Sequence, residues 1–139
     1  MVKMTYNFFK FSFPTFEKIE QNSELKPFWS YKDFVLDLPK KWDLSLAFLT
    51  KGVVAGFAIT SQKTPFCAHL HRIMISPDWR QHGFARSLLL ALKKLCKNQY
   101  HFLTLFVDSS NKMLHGFYQK EGFLPVRIEE QKTFMVCIL

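Results

Sequence analysis

The chain has 139 residues, with 19 Lys+Arg against 11 Asp+Glu and a formal net charge of +8. At roughly 100–200 residues per domain it reads as one domain over 1–139, long enough to bury a core without staples. A hydrophobic content of 48% and a charged content of 22% exclude general disorder, and the positive excess favours partners carrying phosphate or carboxylate.

Residues 4–13 alternate loosely through Tyr6, Phe8, Phe11 and Phe13, which predicts a first strand. Pro14 then opens a short helical stretch with Thr15 as a cap. Phe28, Trp29, Tyr31, Phe34, Val35 and Leu38 fall at helical intervals over 27–38, and Pro39 stops them. Two apolar runs, 44–49 and 53–60, flank Thr50-Lys51-Gly52 and predict a β-hairpin. A further strand covers 67–75.

From Gly83 the period changes. Phe84, Leu88, Leu92 and Leu95 mark one face of a helix ending near Lys97. A strand over 100–107, a helix from Asn111 to Glu121 closed by Gly122, and strands at 123–129 and 132–139 complete the chain. The pattern predicts an α/β domain with a mixed sheet and helices on its faces.

The longest clean apolar run, Val53 to Ile59, is far short of the ~20 residues of a spanning helix. The N-terminal apolar stretch is broken by Asn7 and Lys10, with no small-residue cleavage site, so no signal peptide is expected. Cys67, Cys96 and Cys137 are odd in number and lack CxxC spacing, which fits a reducing cytoplasm.

The segment Ile73-Met74-Ile75-Ser76-Pro77 leads through a turn to Arg80-Gln81-His82-Gly83-Phe84-Ala85-Arg86, where a helix begins. The first N–H groups of a helix lack internal partners and lie at its positive end, so they bind phosphate. Gly83 leaves room for that approach, and Arg80 and Arg86 add charge. The turn is neither a Walker loop nor a dinucleotide fingerprint, since the required Lys-Ser/Thr and three-glycine spacings are absent.

Arg80-x-x-Gly83-x-Ala85 resembles the acetyl-CoA signature of the GNAT N-acetyltransferase superfamily. Asn111 followed by Phe117-Tyr118-Gln119-Lys120-Glu121-Gly122-Phe123 is similar to that family's later block, in the same order and spacing. The resemblance implies a GNAT-like single domain, with a mixed, mostly antiparallel sheet of about seven strands and about four helices. It also implies acetyl transfer from acetyl-CoA to the primary amine of a small molecule, peptide or protein. The pyrophosphate would rest on the N–H groups of Gln81, His82, Gly83, Phe84, Ala85 and Arg86. The pantetheine arm would pair with Ile73, Met74 and Ile75, with Ile75 or Met74 polarising the thioester carbonyl. Tyr118 would be the general acid, and Asn111 would bind the cofactor or cap its helix.

In some members a glutamate stands five residues before the asparagine; here that position is Phe106. In others a glutamate stands where this chain has His69. Strand alternation places His69, His71, Ile73 and Ile75 on one face, so His69, or else His71, is the expected base. Cys67, His69 and His71 also alternate, but three ligands on one flat strand make a poor tetrahedral cage, so no metal is expected. Trp29, Tyr31, Asp33 and His71 are expected at the acceptor, with Phe34 and Trp42 completing an aromatic wall.

The competing readings are a non-catalytic acyl-CoA sensor and a basic nucleic-acid module. The latter is disfavoured because the lysines and arginines are scattered. No membrane partner is expected, and the chain would act as a monomer or homodimer. The charge surplus mildly disfavours a highly cationic acceptor.

Overall fold

The computed structural model describes residues 1–23, 25 and 27–139. A seven-stranded sheet has the order β1-β2-β3-β4-β5-β7-β6. Its strands are β1 (Val2–Lys3), β2 (Leu46–Thr50), β3 (Val53–Thr64), β4 (Cys67–Ile75), β5 (Phe102–Asp108), β6 (Phe123–Glu129) and β7 (Lys132–Ile138). Four α-helices are α1 (Tyr6–Gln21), α2 (Tyr31–Val35), α3 (Phe84–Lys97) and α4 (Lys112–Lys120). All neighbouring strands are antiparallel except β4 and β5. This is the α/β arrangement expected.

The strand expected over 4–13 is not formed; 6–21 is helix α1, with Thr5 rather than Thr15 as its cap, accepting from the Phe8 N–H at 3.0 Å. The buried positions are Phe9, Phe16, Ile19 and Glu20, a helical spacing. Phe11, which made the alternation look strand-like, is 89% exposed. Pro14 lies inside α1 on its exposed side, where the unpaired carbonyl one turn earlier meets solvent. The helix expected over 27–38 is confined to 31–35, and the strand that begins at Val53 runs on to Thr64.

Two apolar layers enclose the sheet. One packs α1 and α2 over β2–β4 through Phe9, Phe16, Phe34, Phe57 and Met74. The other packs α3 and α4 on the opposite face through Leu70, Leu88, Leu92, Leu105, Tyr118 and Phe123. Six of the 16 Phe residues pack in the first layer, where Phe16 stacks on Phe57 at 4.7 Å.

β4 pairs with β5 only from Cys67↔Phe102 to Leu70↔Leu105. Beyond that the strands part: β4 continues along β3 to Ile75, and β5 continues along β7 to Asp108. Gly56 lets β3 hug β4 here. A Cβ at this position would lie 2.7 Å from the Met74 carbonyl oxygen and 2.6 Å from Ile75 Cδ1. Gly56→Ala is therefore expected to destabilise the fold by about 1–3 kcal/mol, read as a lowered urea midpoint with an unchanged slope.

Candidate active site

The parting of β4 and β5 leaves a fork whose edges carry backbone groups without a ladder partner. Their direction follows from the ladder with β3. The Ser76 N–H donates to the Ala55 carbonyl at 2.7 Å, so Ser76 is turned toward β3. Successive pairs alternate between bonded and non-bonded, so Ile75 opposite Gly56, and Ile73 opposite Ala58, turn their N–H and C=O into the fork. Met74 turns toward β3. The fork-facing donors are thus Ile73 and Ile75, and Met74 is not among them. The Ile75 carbonyl accepts from Arg80 Nε at 3.1 Å, which leaves its N–H directed at the opening.

Helix α3 starts beside this strand. Gly83 is its cap at φ +77°, with no side-chain hydrogen bond closing the helix end and nothing within 4 Å of where a Cβ would stand. The Ser87 N–H is the first to return to Gly83, so the N–H groups of Phe84, Ala85 and Arg86 face outward. Gln81, at φ +63°, turns the exposed loop, and the His82 ring leans on Phe84. The two arginines are committed within the chain. Arg80 donates to the carbonyls of Ile75 and Asn22, and Arg86 pairs with Glu121 at 3.0 Å. Their part is to hold the loop and to join α3 to the end of α4.

Across the fork, Asn111 caps α4 by accepting from the Leu114 N–H at 3.1 Å. Its amide nitrogen remains a donor. Tyr118 lies two turns further on, 6% exposed and packed against Phe117 and Phe123. Burial raises its hydroxyl pKa well above the usual tyrosine range.

A GNAT acetyltransferase family model matches residues 3–123. The chain belongs to the GNAT acetyltransferase family. Among solved structures, this GNAT chain is similar to the Escherichia coli ribosomal-protein-S18-alanine N-acetyltransferase. The two share 24% identity over 99% of this chain and 91% of that one, with a TM-score of 0.82. Ard1 from Thermoplasma volcanium gives 22% identity over 92% and 91% of the two chains, with a TM-score of 0.80. The PaiA N-acetyltransferase of Thermoplasma acidophilum, solved in complex with coenzyme A, gives 24% identity, 69% and 60% coverage, and a TM-score of 0.62. No curated protein sequence matches the chain.

Strand β4 of this GNAT chain departs from simple alternation. Ile59 pairs with Arg72 but Thr60 pairs with Leu70, so His71 is a bulged residue. The bulge shifts the phase: Leu70, Ile73 and Ile75 all face the α3 layer. Arg72 instead faces α1, where it pairs with Glu20 at 2.6 Å. His69 and His71 therefore do not share a face with Ile73 and Ile75.

The two imidazoles lie together with ring centroids 4.8 Å apart. His69 Nδ1 is 2.7 Å from Thr104 Oγ1, and His71 Nε2 is 2.7 Å from Ser61 Oγ. Burial first, then the neighbouring imidazole and Lys63, lowers His69 to about 3. Burial first, then Lys41 and Lys63, lowers His71 to about 4. Both shifts favour the neutral imidazole near pH 7 and weaken it as a base.

The expected acceptor residues are otherwise engaged. The Trp29 N–H donates to Glu20 and its ring packs on Phe34. The Tyr31 hydroxyl meets that of Tyr6 at 3.0 Å, and Asp33 accepts from the Ser30 N–H in a capping box. Phe34 and Trp42 belong to the α1–α2 layer, Phe34 fully buried and Trp42 packed against it. Of the expected aromatic wall, Phe34 is core, Trp29 and Trp42 are half-buried, and Tyr31 is exposed. Among the described residues no group of three His, Cys, Asp or Glu is placed to hold a metal ion. Nor is any helix long and apolar enough to cross a membrane. No motif or spacing points to Thr104, Ser61 or Lys63, because their approach to the histidines depends on the bulge and on the extra length of β3.

The buried histidines fix the sign of an acid response. Their folded pKa values lie below the usual 6.5, so below that pH the unfolded chain binds more protons and stability falls. The loss proceeds from pH 6.5 downward and levels off below about 4 for His71 and about 3 for His69. It should reach about 2 kcal/mol per histidine by pH 5 relative to pH 8. Denaturant unfolding across this range checks it, and His69→Gln with His71→Gln should flatten the profile.

Proposed function

We propose that this chain moves an acetyl group from acetyl-CoA to a primary amine by direct attack, as one N-acetyltransferase domain over 1–139. The observation that carries the reading is the fork beside an open helix end. Ile73 and Ile75 offer a strand edge to an extended arm, and the outward N–H groups of α3 offer a phosphate seat one loop away. Family membership supplies the reaction class.

In the proposed step the amine nitrogen attacks the thioester carbonyl carbon, the C–S bond breaks, and the amine gives up a proton. The Ile75 N–H stabilises negative charge developing on the carbonyl oxygen. Tyr118 serves the departing sulfur. Burial keeps its hydroxyl protonated through the neutral range, so it can hydrogen-bond the thiolate and pass it a proton, to be recovered from water. Asn111 holds the start of α4, and with it the position of Tyr118, and offers its amide nitrogen to the donor. His69 and His71 are left as neutral hydrogen-bonding groups, and the acceptor loses its ammonium proton to solvent before attack.

Acetyl-CoA should raise the melting temperature, and free CoA should appear when a suitable amine is added. Tyr118→Phe should lower kcat about 10²-fold while the Kd for acetyl-CoA stays within about twofold. Binding without CoA release from any amine would favour the sensor reading. Absence of acetyl-CoA binding would overturn both.

A further inference from the structure

The helices α1 and α2 cover only part of their face of the sheet. Among the described residues their apolar layer draws strand residues from β1 to β4, and none from β5, β6 or β7. On the uncovered part Phe106 is 37% exposed, and its ring lies 5.1 Å from Phe134 and 5.6 Å from His69. Phe106 is also the first β5 residue beyond the last β4 pair, and His71 is the first on β4. This apolar floor therefore begins where the fork opens.

The floor is positively flanked. Lys63, exposed on the extended end of β3, stands with Nζ 4.7 Å from the Phe134 centroid and 5.7 Å from that of Phe106. Among the described residues it makes no ion pair. Three carboxylates are engaged elsewhere, Glu20 with Arg72, Asp33 at the α2 cap and Glu129 with Arg127, while Asp37 lies nearer Lys41. The Arg127 guanidinium closes the far side, 4.1 Å over Phe134. Lys41 adds positive potential behind His71, with its ammonium buried against the Phe34 and Leu36 carbonyls.

A cationic group would be repelled by Lys63, while an anion beside this exposed ammonium over an apolar floor gains a charge-assisted hydrogen bond at small desolvation cost. We propose that the acceptor is a small amine carrying its own anionic group, held by Lys63 over the Phe106–Phe134 floor so that the amine points into the fork. This rests on the acetyltransferase reading. The reaction is unchanged: N–C forms, C–S breaks, and the proton lost by nitrogen balances the one taken by sulfur.

The test uses the full chain with acetyl-CoA and matched pairs of acceptors: L-phenylalanine against L-phenylalaninamide, and O-phosphoethanolamine against ethanolamine. The pairs separate carboxylate from phosphate. CoA release should favour the anionic member of at least one pair by about tenfold or more in kcat/KM. Lys63→Gln should bring that ratio toward one, chiefly through KM, and Arg127→Gln should reduce it less. Lys63 is exposed, so the variant should fold, which an unchanged melting temperature checks. Equal use of both members, preference for the uncharged ones, a ratio insensitive to Lys63→Gln, or no use of any anionic amine while acetyl-CoA still binds would each overturn the acceptor class alone. Failure of wild-type protein to bind acetyl-CoA would instead overturn the acetyltransferase reading.

Discussion

The parting of β4 from β5 is the constraint on which the site depends. A parallel pair that ran its full length would satisfy every backbone group and leave no room for a donor. Here four residue pairs hold the strands together before they separate. Each strand is then secured from the other side. β4 is held by β3, with the Gly56 backbone pressed against Met74 and Ile75. β5 is held by β7 along its whole length. Below the fork, Leu70, Leu103 and Leu105 are buried in the α3 layer, so closing it would require repacking that layer. The opening is a product of two good ladders diverging, and needs no weak segment to create it.

The bulge at His71 is the second half of the same device. It keeps Leu70, Ile73 and Ile75 on one apolar face while turning Arg72 toward α1. Arg72 then meets Glu20, which is 1% exposed and also accepts from the Trp29 N–H. A buried pair like this is a poor source of net stability but costly to break from one side. Its evident consequence is positional: it ties the middle of β4 to α1 and to the segment leading into α2. The fork edge is thereby fixed to the helical layer on the opposite face from α3.

The sequence made the second half of the chain legible and obscured the first. From Gly83 onward each element carries its own markers: a glycine cap, an apolar helical face, an asparagine cap and Gly122 at the close. Residues 6–13 carry no such punctuation, and eight residues with four alternating aromatics suit either period. What decides for helix is tertiary: Phe9 and Phe16 must both reach Phe34. Within the site, Gly83, Tyr118 and Asn111 could be found from motif and spacing. The fork-facing identity of Ile73 and Ile75 could be stated only with the register. The loss of a shared face between the histidines and Ile73 could not be foreseen, because one inserted residue reverses every side chain beyond it and leaves no trace in composition. Arg80 and Arg86, expected beside phosphate from the signature and from their charge, also bond within the chain, Arg80 to backbone carbonyls and Arg86 to Glu121.

These bonds bear on the meaning of the net charge. Arg72 is held by Glu20, and the exposed Arg80 and Arg86 each carry a bond within the chain, while on the proposed reading the backbone N–H groups of α3 bind phosphate without a surplus of lysine or arginine. The surplus then belongs to the surface, and at the mouth of the fork its unpaired member is Lys63. The two imidazoles beside it are lowered chiefly by burial and are weaker bases than ordinary histidines. On the proposed reading Lys63 draws in an acceptor by its anion and would repel one that brought only positive charge. Once paired with that anion the lysine no longer lowers the pKa of the amine, so attraction and deprotonation have separate sources: Lys63 selects the acceptor and solvent takes the proton.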